Sequence, residues 1–231
     1  MKYIFTSGLF ILLLDIIVLL LHISLGTSFS LFYIDAEYNV PTLFQGTKLL
    51  LIAHIAFLIL FVKSQKKNLN KKELISWIIF GLIFFFLGID EIGQIHENLP
   101  RYLSELIPRE TESYKEFFSE GGFNSADWLI FYIPAYIIFI AYMLYFSISL
   151  MKKGDKRFIL LIVGSILILF VPIIELINTS GIEYEDYPFY YFLLTLEETL
   201  EMIGASFFFI FAFQYLREIL KGISIKEKTT S

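Results

Sequence analysis

Cysteine is absent from this chain of 231 residues. Without a thiol the protein has no disulfide, no thiolate nucleophile, and no cysteine ligand for zinc or an iron–sulfur cluster. Histidine is almost as scarce, with three in the whole chain. A metal site would therefore take most of its ligands from oxygen, which favours Mn, Fe, Zn, Mg or Ca over copper.

The motifs of several large protein classes are missing too. The sequence contains no glycine-rich phosphate loop, no nucleophile elbow and no dinucleotide-binding fingerprint. It also lacks the basic pattern that is typical of nucleic-acid binding. We therefore expect neither a nucleotide cofactor nor a nucleic-acid partner.

What the chain has in excess is apolar side chains, which make up 57% of its residues and give a mean hydropathy of +0.70. These values are far above those of soluble domains. A helix needs roughly 20 apolar residues to cross ~30 Å of hydrocarbon. Six runs fit, near 4–25, 47–63, 74–97, 127–150, 158–178 and 190–217. We predict one integral membrane domain over residues 1–231, an all-α bundle of six transmembrane helices in contact with membrane lipids.

The basic residues predict how this bundle is oriented. Fourteen of the eighteen lie at Lys2, between residues 63 and 73, between 151 and 157, and from 217 onward. Positively charged flanks resist translocation, so these segments are expected in the cytoplasm. Six spans with both termini inside place all four segments there. The predicted location is a bacterial or archaeal cytoplasmic membrane.

The acidic residues show the opposite bias, with 19 of 23 expected in the membrane or on the outer side. Part of this excess lies in a long outer loop, 98–126, which is predicted to carry an interfacial helix. The remaining basic residues are assigned to the outer side as well, and they are Lys48, Arg101, Arg109 and Lys115. No basic side chain is then expected within the outer half of any span.

Ionisable residues inside the predicted spans need a physical reason to be there. Each charge costs roughly 2.5–3.5 kcal/mol in lipid, even on a lenient scale, unless it is paired, protonated, hydrated or bound to a metal. The residues concerned are Asp15, His22, His54, Asp90, Glu91, His96, Glu97, Glu175, Glu197, Glu198 and Glu201.

Two spans each carry an acidic stripe. At the end of the third span, helical geometry places Asp90, Gln94 and Glu97 within about 60° of one another, while His96 projects about 120° from Asp90. In the sixth span the acidic residues share one face, and they are Glu197, Glu198 and Glu201. Glu201 would lie ~16 Å deep, and the nearby Gly204 predicts a close helix contact.

A metal site would account for both stripes. Under this hypothesis the two spans face each other and bind one or two divalent cations, as carboxylates do in di-metal helical bundles. The cation would act on a lipid or another hydrophobic substrate as a Lewis acid or a source of hydroxide. The expected ligands are Asp90, Glu91, His96, Glu97, Glu198 and Glu201, with His22, His54 and Glu197 as weaker candidates.

The same acidic residues are compatible with two alternative roles. Carboxylates at depth are also needed for a proton path or a cation-coupled transporter. Alternatively, they form buried hydrogen-bonded pairs that fix helix packing in a structural or accessory subunit, whose partners would be other membrane subunits.

The acidic motifs also carry a resemblance. Asp-Glu-x4-His-Glu at 90–97, Glu-Glu-x2-Glu at 197–201 and the segment 35–42 resemble a group of uncharacterised bacterial polytopic membrane proteins. The resemblance extends from about residue 30 to 215. It implies no activity. It does imply that the outer loop with Glu37 and Asn39 belongs with the two acidic stripes.

Overall fold

A computed structural model describes residues 2–34, 36, 38–65, 70–95, 98, 127–150, 155–179 and 187–230. Side chains are described for residues 8–34, 36, 38–65, 70–95, 98, 133–150, 155–178 and 188–221. The predicted interfacial helix in the loop 98–126 therefore lies outside the described residues, apart from Asn98. So do His96 and Glu97, as well as Asp35 and Glu37.

The described chain is entirely helical. Its α-helices are α1 (Lys2–Leu21), α2 (Val40–Gln65), α3 (Lys71–Gly93), α4 (Asp127–Leu150), α5 (Arg157–Thr179) and α6 (Tyr187–Thr230). A π-helical turn (His22–Gly26) and a 3-10 turn (Ser30–Phe32) follow α1. Each of the six α-helices contains a segment long and apolar enough to cross a membrane. Over the described residues, the predicted all-α fold is confirmed, with six helices long and apolar enough to cross a membrane.

The second helix begins seven residues before the predicted span. Asn39 caps α2: its side-chain oxygen accepts the Thr42 N–H at 2.9 Å, and its side-chain nitrogen donates to two carbonyls of the preceding loop. Asparagine is a favoured N-cap because it satisfies backbone donors that have no partner within the helix. Because of the earlier start, α2 includes Gln45, and Lys48 lies in the interior of the helix instead of at its outer end.

The third helix ends four residues before the predicted boundary. Its last residue is Gly93, and Gln94 adopts the left-handed conformation with φ 53° and ψ 44°. The predicted stripe assumed a continuous helix through Glu97. The structure interrupts that helix at Gln94, because a left-handed residue turns the chain away from the helix axis. Glu97 lies outside the described residues, so its place in the stripe stays a prediction.

Glycines bring two pairs of helices into close contact. A Cβ atom on Gly88 of α3 would lie 2.8 Å from Leu50 Cγ and 3.0 Å from the Leu50 backbone nitrogen of α2. A Cβ atom on Gly204 of α6 would lie 3.0 Å from Ile168 of α5. The close approach predicted at Gly204 is confirmed, and its partner is α5.

An aromatic cluster packs the middle of the bundle. Trp77 and Phe80 of α3 contact Phe146 of α4 with ring centroids 5.1 Å apart, and Trp77 stacks on Phe211 of α6 at 6.1 Å. All four side chains are fully buried. Aromatic pairs at these distances add to the stability that burial alone provides.

Ion pairs close the end of the bundle where the helices carry their basic residues. Lys63 pairs with Glu73 and donates to Tyr215 at 3.0 Å. Arg157 pairs with Glu218 at 2.6 Å and also with the neighbouring Asp155. The opposite ends of α3 and α6 carry the predicted acidic stripes, so the two ends of the bundle differ in their chemistry.

Replacement of Gly88 with alanine should destabilise the bundle. The added methyl group meets the Leu50 backbone, which cannot move without shifting α2, so we expect the free energy of unfolding to fall by about 1–3 kcal/mol. Thermal unfolding of the detergent-purified protein measures the loss. Gly93→Ala is the matched control, because its nearest neighbour lies 3.8 Å away. Equal stability of the two variants would contradict the close packing.

Candidate functional site

A cavity of about 520 Å³ lies between α2, α3, α4, α5 and α6. Its polar lining comes from Thr42, Gln45, Asp90, Glu91, Gln94, Tyr136, Glu197, Glu198 and Glu201. Its apolar lining includes Leu49, Ile79, Leu82, Ile83, Phe84, Phe86, Leu87, Ile138, Phe139 and Phe208. Pockets of ~300–1,000 Å³ with apolar walls and a few polar groups are typical of small-molecule sites.

The two kinds of lining residue occupy different ends of the cavity. Along α3 the wall begins with Ile79, continues through Leu82 and Phe86, and ends with Asp90 and Gln94. Ile79 and Asp90 are separated by about 16 Å of helix at 1.5 Å per residue. The cavity therefore has an acidic end and an apolar wall about three helical turns long.

The structure brings five predicted ligands together at this acidic end. Asp90 and Glu91 come from α3, and Glu197, Glu198 and Glu201 come from α6. Asp90 is buried, and the other four are partly buried. Two acidic stripes that are far apart in the sequence thus face one space.

The arrangement of the described residues does not by itself form a metal site. Among them, no three Asp, Glu or His side chains are grouped so that they could hold a metal ion. The two other predicted ligands, His96 and Glu97, lie outside the described residues. The metal-ligand assignment therefore stays a prediction.

Two glutamines at the acidic end were not among the predicted site residues. Gln45 Nε2 donates to Glu201 Oε1 at 3.4 Å. Within the described part of the chain, Gln45 Oε1 and Gln94 Nε2 have no hydrogen-bond partner, although both residues are at most 3% exposed. An unsatisfied buried polar atom costs about 1–3 kcal/mol.

The sequence does contain a signal for the earlier start of α2, which places Gln45 at the acidic end. Polar and capping residues precede the apolar run, and Pro41 lies near the helix start.

Lys48 overturns the expectation that no basic side chain lies within the outer half of any span. Its Nζ donates to Asp15 Oδ1 and to the Met202 carbonyl, both at 2.7 Å, and the side chains of Lys48 and Asp15 are 1% and 3% exposed. The expectation is wrong because α2 begins at Val40. Lys48 therefore lies well inside the helix rather than at its outer end.

The same pair accounts for Asp15, one of the charges whose role was not evident in the sequence. The second carboxylate oxygen of Asp15 accepts a hydrogen bond from Ser206 at 2.5 Å. Asp15, Lys48, Ser206 and the Met202 carbonyl thus form a buried network that joins α1, α2 and α6. Lys48 also lies within electrostatic range of Glu91 and Glu201, so its positive charge partly offsets the negative charge of the cavity.

His22 has a structural role. Its Nδ1 accepts the Ile34 N–H at 3.1 Å, and its Nε2 lies 3.1 Å from the Thr195 hydroxyl. That hydroxyl donates to the Tyr191 carbonyl at 2.8 Å, so it accepts from His22. The partners assign a neutral imidazole with its proton on Nε2. With both nitrogens hydrogen-bonded, His22 ties the segment after α1 to α6 and does not line the cavity.

His54 is also not brought to the carboxylates. It is exposed on α2, and its Nδ1 bonds to the Leu50 carbonyl at 2.7 Å. Neither His22 nor His54 lines the cavity. Of the three weaker candidates, only Glu197 does. Glu175 of α5 is partly buried and is not part of the cavity lining either.

Six helices long and apolar enough to cross a membrane, five of which line an acid-ended cavity, define this chain as a polytopic integral membrane protein. A sequence profile described as a domain of unknown function (DUF8692) matches residues 6–215, and the chain belongs to that family. No curated protein and no solved structure matches the chain. The description of the family names no activity.

Removal of one partner of the Asp15–Lys48 pair should destabilise the protein far more than removal of both partners. Lys48→Met leaves a buried carboxylate without its counter-charge, which costs about 3–5 kcal/mol. We expect the double variant Asp15→Leu, Lys48→Met to recover most of this loss, because no lone charge remains buried. Thermal unfolding of the three proteins measures the difference. A Lys48→Met variant as stable as the parent would refute the stabilising role of the pair.

Proposed function

We propose that this protein binds a lipid-like molecule in the cavity and acts on its polar end with the carboxylates of α3 and α6. The observation that carries the proposal is the cavity lining: five carboxylates lie at one end, and leucine, isoleucine and phenylalanine line the remaining wall. An amphiphile has the same division into a polar end and an apolar chain.

The selectivity of such a site would come from its polar end. An alkyl chain that leaves the bilayer for an apolar cavity exchanges one hydrocarbon environment for another, so it gains little from hydrophobic burial. Hydrogen bonds and charge interactions with Asp90, Glu198, Glu201 and the two glutamines would therefore supply most of the preference for one head group over another.

A divalent cation bound to these carboxylates would allow the site to catalyse a reaction. Clustered carboxylates repel one another in a medium of low polarity, and a bound cation would offset that repulsion. One or two ions of Mn, Fe, Zn, Mg or Ca would be held by Asp90, Glu91, Glu198 and Glu201, completed by His96 and Glu97. The ion would polarise a bond of the substrate or supply hydroxide at neutral pH.

The proposed orientation puts both termini in the cytoplasm and the acidic end of the cavity toward the outer side. The ion-paired end formed by Lys63 and Arg157 supports this arrangement, because it lies among the segments richest in basic residues. The proposed loop helix within 98–126 would then lie at the outer interface, next to the acidic end.

A purely structural role is favoured for a different set of polar residues. The network around Lys48 and Asp15 connects three helices and uses its hydrogen-bonding groups within the protein. Polar groups of this kind fix helix packing in membranes. They account for the charges of Asp15 and Lys48, but not for the carboxylates that line the cavity.

Metal analysis tests the cation. We expect purified protein to carry about one or two ions per chain. Glu198→Gln and Glu201→Gln should lose most of the metal, because each removes a charged ligand while keeping the size of the side chain. Glu218→Gln is the matched control, since Glu218 is exposed at the opposite end. Metal-free parent protein, or full occupancy in both cavity variants, would rule the cation out.

Native mass spectrometry tests the amphiphile. Protein extracted with its surrounding lipid should retain one bound molecule whose identity differs from the bulk lipid. We expect Ala135→Trp to displace it, because Ala135 lines the cavity and an indole ring would fill part of the space. Ile137→Trp, two residues away on the lipid-facing side, should keep it. A parent protein without a selectively bound molecule would contradict the proposal.

A further inference from the structure

The contact between α3 and α4 is uneven along its length. At one end Tyr142 donates to the Ser76 carbonyl, and Phe146 lies 5.1 Å from the rings of Trp77 and Phe80. The two helices are joined by side chains there, whereas the close backbone neighbour of α4 is α5.

Aromatic contact between the two helices fades toward the acidic end. Among the described ring pairs, the one nearest that end joins Phe84 and Phe139, with centroids 6.3 Å apart. Beyond it, both helices contribute side chains to the wall of the cavity.

Three cavity-wall residues of α3 and α4 keep much of their surface exposed. Leu82 is 53% exposed, Phe86 49% and Ile138 67%, and all three line the cavity. On the opposite wall, Leu49 and Phe208 line the same cavity but are only 4% and 0% exposed. The cavity surface by itself therefore does not produce the exposure on α3 and α4. The exposure of these side chains instead reflects an opening between α3 and α4.

We propose that this opening is a lateral portal through which the alkyl chain of a membrane lipid passes into the cavity. The inference rests on the proposed function, and it adds the source of the ligand: the bilayer, not the aqueous phase. The portal residues are uncharged and lie on membrane-crossing helices, so they adjoin hydrocarbon. Leu82 and Asp90 are separated by about 12 Å of helix, which is the distance a chain at the portal spans to bring its head group to the carboxylates.

The absence of cysteine makes this portal testable with a single introduced thiol. Ile168→Cys places the thiol on α5 in the cavity wall, and Leu169→Cys places it on the same helix facing lipid, where the native side chain is 43% exposed. The probe is N-dodecylmaleimide dissolved in liposomes that contain the purified protein. Mass spectrometry follows the rate of alkylation.

Closing the portal should slow alkylation at the cavity position alone. We expect Leu82→Trp to reduce the rate for Ile168→Cys several-fold and to leave the rate for Leu169→Cys unchanged. Phe85→Trp is the matched control for bulk, because Phe85 is 41% exposed on the same helix but does not line the cavity. It should change neither rate. Ile138→Trp narrows the gap from α4 and replaces Leu82→Trp if that variant does not fold.

The inference would be overturned if neither Leu82→Trp nor Ile138→Trp changed the alkylation rate of Ile168→Cys. It would also be overturned if the reagent dissolved in the membrane never alkylated this thiol. Faster alkylation by a charged, water-soluble maleimide would overturn it too, since the route would then run from water. These outcomes are separate from the proposed function, because alkylation does not involve the carboxylates. Protein that retains its amphiphile but fails this test keeps the proposed function and loses the portal.

Discussion

A charge inside a membrane bundle has to be compensated by the protein, because lipid offers neither water nor counter-ions. The charges of Lys48 and Asp15 compensate each other. Lys48 also donates to the Met202 carbonyl, and Asp15 also accepts a hydrogen bond from Ser206. The network fixes α1 and α2 against α6, next to Glu201. The carboxylates of the cavity thus lie next to a network whose own charges are paired.

The six spans follow from the sequence because hydrocarbon thickness sets a minimum length for each apolar run. The ends of the helices are harder to predict, since local capping decides them. The cap at Asn39 starts α2 before the apolar run, so the helix includes polar residues. The left-handed Gln94 ends α3 before the predicted boundary. A hydropathy pattern contains neither signal.

The site was predictable only in part, for the same reason. Asp90 and Glu201 share a cavity because helical periodicity puts the acids of each span on one face. Gln45 lies before the predicted second span and Lys48 lies at its outer end, so their place beside these acids depends on tertiary structure. His22 resembles a ligand in the sequence, yet its nitrogens are used by a backbone amide and a hydroxyl that no spacing rule connects to it.

The glycine contacts divide the bundle into unequal parts. Gly88 and Gly204 let α2 pack on α3 and α5 pack on α6 with backbones almost touching, so these pairs have little freedom to shift. The fourth helix meets α3 through side chains alone. The width of the cavity on that side is therefore set by residue size on α4, at positions such as Ala135 and Ile138. Exchange of these side chains would change the width of the cavity, while the rest of the scaffold stays the same.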